Sequence, residues 1–174
     1  VVKCWGYNWS GQLGLGDVTQ RGDGVNEMGD FLPTVPLGTG RTAKAIAVGG
    51  GHSCALLDNN TVKCWGYNVY GQLGLGDANN RGDGAGEMGD SLATVSLGTG
   101  RTAKAISLGY FHSCALLDND TVKCWGANDY GQLGLGDANW RGDALGEMGD
   151  SLATVSLGTS RTANAIAAGY YHTC

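Results

Sequence analysis

The sequence lacks a cluster of basic residues: its 11 Lys and Arg are outnumbered by 16 Asp and Glu, and the net charge is −5. An acidic chain without a Lys/Arg patch is poorly suited to nucleic acid or anionic membranes, so we expect neither as a partner. Long apolar runs are absent too. No stretch approaches the ~20 residues of a membrane-spanning helix, so membrane insertion is not expected. No signal peptide is visible, because the opening VVKCW has the pattern of a strand interior.

Further absences limit the chemistry. No stretch combines the 3.6-residue period and the caps of an amphipathic helix. No Gly-rich loop opens a helix to hold phosphate, and no nucleophile, base and orienting group recur together. We therefore expect no enzymatic activity and no cofactor, calcium excepted.

What is abundant is glycine, with 32 residues, arranged in an internal repeat. VKCWG begins at Val2, Val62 and Val122, which sets a period of 60 residues without insertions. A fixed period of this kind is typical of repeat architectures. We interpret the chain as a single array over residues 1–174, with repeats at 1–60, 61–120 and 121–174, the last of them truncated.

Each repeat has the pattern of four short strands. In one period these are TVSL (94–97), AKAISL (103–108), HSCALL (112–117) and TVKCWG (121–126), and a three-residue loop joins the last two. Four antiparallel strands at this interval predict an all-β fold built from three consecutive four-stranded β-propeller blades.

The repeat GxxHSCALLDNxTVKCWGxNxYGQLGLGD resembles that of the regulator of chromosome condensation family. The matching features are the Gly before the His, the small hydrophobic strand, the Trp-Gly pair and the Gly-Gln-Leu-Gly-Leu-Gly run, in all three periods. The resemblance implies a β-propeller, usually of seven blades, and a structural hydrogen-bonding role for the His. Some members act as nucleotide exchange factors for a nuclear small GTPase. We do not expect exchange here, because the loop residues required for it have no identifiable counterparts.

Three blades of this size are too few to close a seven-bladed ring, and no polar capping repeat is present. We therefore expect a fragment of a longer, about seven-bladed propeller. The alternative is a short chain that oligomerises, with Cys174 of one copy meeting Cys4 of the next.

The six cysteines follow the repeat. Pairing Thr61 with Leu57 across the loop puts Cys64 opposite Cys54, at a distance that a disulfide can bridge. The next repeat places Cys114 and Cys124 in the same way, which leaves Cys4 and Cys174 to pair outside this segment or between copies. Two other readings stay open: a reduced structural pair, and a metal site to which His52 adds a third ligand. The disulfide reading predicts a secreted, cell-surface or lumenal protein.

Two kinds of surface site are also candidates. Sequons at Asn8, Asn59 and Asn119 are possible glycosylation sites. Each repeat also has a Gly-rich acidic loop whose carboxylates offer the oxygen ligands that Ca²⁺ takes, although their spacing is not that of an EF-hand. The calcium candidates are Asp17, Asp23, Glu27, Asp30, Asp77, Asp83, Glu87, Asp90, Asp137, Asp143, Glu147 and Asp150. The alternative is a solvated loop with local ion pairs. The Arg-Gly-Asp tripeptide in each loop resembles the integrin-recognition motif, and we expect a chance occurrence.

Three loop positions differ in chemistry between the repeats while the strands stay the same. They are 20/80/140 (Gln20, Asn80, Trp140), 25/85/145 (Val25, Ala85, Leu145) and 7/67/127 (Tyr7, Tyr67, Ala127). Such variation is expected of partner-contact surfaces and equally of neutral drift. We predict a non-enzymatic scaffold that presents loops to proteins, or to glycans, in an oxidising compartment. The alternatives are a calcium-binding adhesion module and a structural subunit of a large assembly.

Overall fold

A computed structural model describes all 174 residues and shows an all-β architecture with two three-stranded antiparallel sheets. The first sheet contains β1 (Ala43–Val48), β2 (His52–Leu57) and β3 (Val62–Gly66), in that order. The second contains β4 (Ala103–Leu108), β5 (His112–Leu117) and β6 (Val122–Gly126). Three short 3₁₀ turns lie at Gly29–Phe31, Gly89–Ser91 and Gly149–Ser151. The structure contains no helix of the length and hydrophobicity needed to cross a bilayer.

The hairpin between β2 and β3 has the register expected from the sequence. Leu56 lies opposite Val62, and Cys54 lies opposite Cys64. The loop turns back because Asn60 adopts the left-handed conformation (φ 65°), which Asn tolerates better than most residues. Asp120 takes the same conformation (φ 64°) between β5 and β6.

The core lies between successive sheets rather than within one repeat. Every residue of β2, β3, β5 and β6 is buried. The indole of Trp125 from β6 packs into a cluster with Leu73, Val95 and other side chains of the preceding repeat. Each blade thus buries its apolar face against the next one, as expected for stacked repeats.

The predicted four-stranded blade is not confirmed, because the segment 94–97 is not a strand. It is extended along β3 of the preceding sheet, where Val95 N–H donates to the Val62 carbonyl at 2.8 Å. The Leu97 carbonyl instead accepts from the Lys123 ammonium at 3.0 Å. The Ser96 carbonyl accepts from Gly149 N–H at 3.0 Å, so the backbone of this segment makes one bond to β3 and no regular ladder.

Two sheets form rather than three. Residues 2–6 have the β3 sequence but no β2-like neighbour, and their one bridge joins Gly6 to Arg21. At the other end, residues 163–174 form a single bridge, between Ala168 and Thr173. A strand needs a hydrogen-bonded partner, and neither segment has one along its length.

Candidate functional site

The topology collects two sets of loops at one end of the sheets. Because β2 and β3 are antiparallel, the chain enters β2 and leaves β3 at the same end. The loops 49–51 and 67–70 therefore lie together, and 109–111 and 127–130 repeat the arrangement. The hairpin tips, residues 58–61 and 118–121, lie at the opposite end.

Aromatic side chains of the second and third repeats cluster at the end of the sheets opposite the hairpin tips. Tyr110 stacks on Tyr170 with ring centroids 4.1 Å apart, and Phe111 lies 4.8 Å from Tyr70. Trp140 meets Tyr70 edge-on at 4.8 Å. We call this set the aromatic surface; its members are Tyr67, Tyr70, Tyr110, Phe111, Tyr130, Trp140, Tyr170 and Tyr171.

Three of these eight rings, Tyr130, Tyr170 and Tyr171, are exposed, and the other five are half-buried. Tyr130 is 72% exposed and Tyr170 is 53% exposed, whereas the core indoles Trp65 and Trp125 are fully buried. Contiguous exposed aromatic residues are characteristic of interaction sites. The aromatic surface is therefore the candidate functional site of the chain.

The variable loop positions indicated only part of this surface. Tyr67 and Trp140 belong to it, and Leu145 is an exposed side chain on its own loop. The sequence reasoning missed the Gly50/Tyr110/Tyr170 and Gly51/Phe111/Tyr171 positions, where glycine becomes aromatic after the first repeat. Comparison of the repeats column by column would have found them.

The histidines form structural relays between blades. Ser113 Oγ donates to the Gln72 carbonyl at 2.8 Å, so it accepts from His52 Nε2–H, also at 2.8 Å. Burial, together with a smaller effect of the His112 charge, lowers the pKa of His52 to about 3. His112 repeats the relay with Thr173, and burial lowers its pKa to about 4. A neutral, buried imidazole of this kind serves packing, as the resemblance implied.

The cysteines of the two complete hairpins form disulfides, Cys54–Cys64 and Cys114–Cys124. The metal alternative with His52 loses its ligands, because both thiolates are bonded to each other. Cys4 and Cys174 are free. In the whole chain, no three His, Cys, Asp or Glu side chains lie together in a group that could hold a metal ion.

The three sequons differ in accessibility. Asn59 and Asn119 are exposed at the hairpin tips, opposite the aromatic surface. Asn8 is fully buried, and its Nδ2 donates to the carbonyls of Asp17 and Thr19. A glycan attached to Nδ2 would break these bonds, so the structure argues against Asn8 as a glycosylation site.

Most carboxylates of the acidic loops bind groups of the chain itself. Asp77 pairs with Arg81 at 2.6 Å. Asp90 accepts from Thr39 N–H and Oγ1–H, and these bonds lower its pKa. Glu87 Oε2 accepts from the Gly82 and Gly84 N–H groups at 2.9 Å.

Asp77, Glu87 and Asp90 of the second loop thus each have a partner within the chain, and Asp137, Glu147 and Asp150 repeat the pattern in the third. Burial raises the pKa of Glu87, and its backbone donors more than offset this, so the net pKa is lowered. Asp83 is the exception: burial and the neighbouring Glu87 raise its pKa. The arrangement ties the loop together from within, and calcium binding stays a prediction.

The Arg-Gly-Asp tripeptide of the second repeat lies against the first repeat. Gly16 N–H donates to the Gly82 carbonyl at 3.0 Å. A Cβ on Gly11 would overlap the Asp83 backbone nitrogen, so glycine is required there. The Arg81 guanidinium also donates to the carbonyls of Asn79 and Asn80. These contacts give the tripeptide a structural role between blades.

Two profiles of the regulator of chromosome condensation (RCC1) repeat match the sequence. One matches residues 3–56, and the other matches residues 43–72 and 103–132. Together they cover more than half of the 174 residues. The chain belongs to the RCC1 repeat family. The resemblance seen in the sequence is confirmed.

Relatives of this RCC1-repeat chain have diverse names. It is 34% identical over 135 residues to the probable E3 ubiquitin-protein ligase HERC4 of Rattus norvegicus, covering 76% of this chain and 11% of that protein. It is 31% identical over 138 residues to the secretion-regulating guanine nucleotide exchange factor of Bos taurus, covering 78% and 26% respectively.

Among solved structures, Prp20p from Saccharomyces cerevisiae, described with its binding properties to Gsp1p and histones, matches with a TM-score of 0.65 and 17% identity. The match covers 97% of this chain and 37% of that one. At this identity it shows the β-propeller fold alone. The chain spans well under half the length of these relatives.

Proposed function

We propose that the chain is part of a non-enzymatic RCC1-repeat scaffold that binds a protein partner through the aromatic surface. The supporting observation is the concentration of eight half-buried or exposed rings in loops at one end of two blades, while the strands form a regular support. A rigid sheet that presents variable loops is a common arrangement for recognition. One relative is named as a guanine nucleotide exchange factor, and one structural neighbour is described with its binding to Gsp1p and histones. Both names are consistent with protein contacts of a regulatory kind.

We further propose that the three repeats belong to a larger ring of about seven four-stranded blades. The apolar side of the third repeat has an open hollow of about 470 Å³, lined by Leu133, Val155 and other side chains. In the second repeat the corresponding site is filled by Trp125, which packs against Leu73 and Val95. The hollow has the shape that the indole of a further VKCWG strand would fill, from the same chain or from another copy.

An oxidising compartment is the proposed location. Two disulfides within one small repeat array support it, because such bonds persist mainly in secreted, cell-surface and lumenal proteins. Glycans at Asn59 and Asn119 would lie at the hairpin tips and leave the aromatic surface free.

The scaffold proposal is tested by purification of the protein from its native source. Wild type is compared with Tyr130→Ser/Tyr170→Ser, and Asn119→Gln at the opposite end serves as the control. We expect a stoichiometric protein partner that the double variant loses and the control retains. The proposal fails if no partner co-purifies or if the double variant retains it.

Guanine-nucleotide exchange is the second candidate, because a relative that is 31% identical is named as an exchange factor. The sequence reasoning disfavoured this activity, and the relative's name weighs against excluding it. Release of a labelled guanine nucleotide from a small GTPase, measured with and without the chain, decides the question. Acceleration by the chain would replace the non-enzymatic proposal.

Calcium-dependent adhesion is the remaining alternative from the acidic loops. Thermal melts with millimolar calcium and with chelator test it, because a ligand that binds the folded state raises the melting temperature. Equal melting temperatures would remove this alternative. A structural subunit of a large assembly predicts instead co-purification with a fixed stoichiometry.

A further inference from the structure

A hollow of about 580 Å³ lies at the border of the aromatic surface. Its lining is polar apart from one large ring, and consists of Ala138, Asn139, Trp140, Arg141, Asp143 and Glu147. Trp140 belongs to both features, since its ring also contacts Tyr70. Its Nε1–H donates to Asp129 at 3.2 Å, so a further carboxylate lies at the same edge.

Asp143 in this hollow has a side-chain oxygen without a hydrogen-bond partner. In the third repeat, Trp140 replaces Asn80, and Asp143 Oδ1 is shielded from solvent without any hydrogen-bond partner. A buried carboxylate oxygen without a donor is costly, and such groups in native structures call for an explanation.

The chain supplies no free cation to this carboxylate. Arg141 is nearest in sequence, but its guanidinium bonds to Asp137 at 2.7 Å and to the carbonyls of Asn139 and Trp140. Glu147 Oε2 accepts from the Gly142 and Ala144 N–H groups. Burial raises the pKa of Asp143 and the neighbouring Glu147 charge adds to this, whereas the Arg141 charge lowers it. The edge of the aromatic surface is therefore negatively charged and incompletely neutralised.

Building on the scaffold function proposed above, we propose that the hollow beside Trp140 binds the cationic side chain of an arginine-containing, extended segment of a partner protein, which continues over the aromatic surface. The guanidinium stacks on the Trp140 ring, an interaction that aromatic faces favour, while Asp143, Glu147 and Asp129 supply the negative field. Rows of aromatic rings also suit extended, proline-rich segments.

The charge of the molecule favours this occupant over others. Nucleic acid also stacks on aromatic rings, but a chain with a net charge of −5 and carboxylates at the site repels phosphate. The first repeat lacks the feature, because Gly50 and Gly51 replace the aromatic pair and Gln20 replaces Trp140. The second repeat has Asn80 at this position, so the hollow beside a Trp is specific to the third repeat.

The experiment is calorimetric titration of the whole chain with an acetylated peptide of alternating Arg and Pro. Trp140→Asn is the main variant, because the second repeat folds with Asn80 at the same position. Asp143→Asn removes the unpaired charge, and Asn119→Gln at the far end is the control. We expect each site variant to weaken binding about tenfold or more, and the control to bind as wild type does. Added salt should weaken binding, since a charge contact is involved.

The same peptide with citrulline in place of Arg keeps the shape and removes the charge, so it should lose most of its affinity. Equal binding of the citrulline peptide, or binding that is insensitive to both variants, would overturn the proposal. Binding of a single-stranded oligonucleotide or an oligosaccharide in place of the peptide would overturn it too. If the peptide fails while a native partner still depends on Tyr130 and Tyr170, the partner class is wrong and the scaffold function stands. If both fail, neither proposal holds.

Discussion

Single residues carry the contacts that join one repeat to the next. Gly49 is an example: a Cβ there would lie 2.5 Å from the Gly109 carbonyl and 2.6 Å from His52 Cε1. The Gly-x-x-His spacing therefore reflects close packing of the backbone against the imidazole and the next blade. His52 in turn needs Ser113 of that blade to accept its proton. The Gly-x-x-His motif therefore acts through contacts between two repeats.

Gly49→Ala should destabilise the fold by about 1–3 kcal/mol, because backbone atoms that have little room to move surround the added methyl group. Gly51→Ala is the matched control. Phe111 and Tyr171 occupy its position in the other repeats, and we expect a change within about 0.5 kcal/mol. Urea unfolding measures both. Similar losses for the two variants would contradict the packing argument.

Stability should fall as the pH drops below 6.5, because of His52 and His112. Their pKa values are lowered to about 3 and about 4, whereas an unfolded His titrates near ~6.5. Below pH ~6.5 the unfolded chain binds protons that the folded chain does not, so the stability present above that pH is lost on acidification. The slope is at most about 1.4 kcal/mol per pH unit for each His.

Unfolding free energies measured by urea between pH 7.5 and 5 check this, because most carboxylates stay ionised in that window. His52→Gln should reduce the slope. A flat profile for the wild-type protein would show that these imidazoles are accessible to protons.

At the scale of elements, the β2–β3 and β5–β6 hairpins are the most completely determined parts. Each has both faces buried, a left-handed residue in its loop and a disulfide between directly opposite positions. The segment 94–97 is the opposite case, since it depends on Val62 in one repeat and Lys123 in the next. Hairpins form from local sequence, and the fourth segment is positioned by its neighbours.

Alkylation without reductant should label two cysteines, Cys4 and Cys174, and reduction should expose all six. Cys54→Ala/Cys64→Ala should lose about 2–3 kcal/mol, because the short cross-link restricts the unfolded chain. Cys4→Ala, which removes a free thiol, should change stability little. Mass spectrometry and urea unfolding give the readouts. Labelling of all six without reductant would rule out the disulfides.

At the scale of the whole molecule, stability comes from burial between blades. Trp125 is fully buried against the second repeat, whereas Trp5 is 62% exposed because no repeat packs against it. The hollow of about 470 Å³ on the third repeat is the matching unfilled site. The aromatic surface lies in loops at one end of the blades, and two of its rings, Tyr130 and Tyr171, also line this hollow.

Appending a further copy of residues 115–174 directly after Cys174 should raise the unfolding free energy, because its VKCWG strand places an indole in the hollow. The control is the same extended chain with that Trp changed to Ala, which should lose about 3–5 kcal/mol of the gain. Equal stability of the two extended chains would show that the hollow does not accept the indole.

The sequence by itself determined the period, the all-β class and the hairpin register that places Cys64 opposite Cys54, because each depends on neighbours within a few residues. Only the tertiary structure decided that segment 94–97 lies on the preceding sheet, that Asn8 is buried, and that the Arg-Gly-Asp loops pack between blades. It also brought together Tyr70, Phe111 and Trp140, which come from loops of different repeats. These features depend on how one blade stacks on the next. Residues that meet in this way are far apart in the sequence, so local sequence patterns do not reveal their contacts.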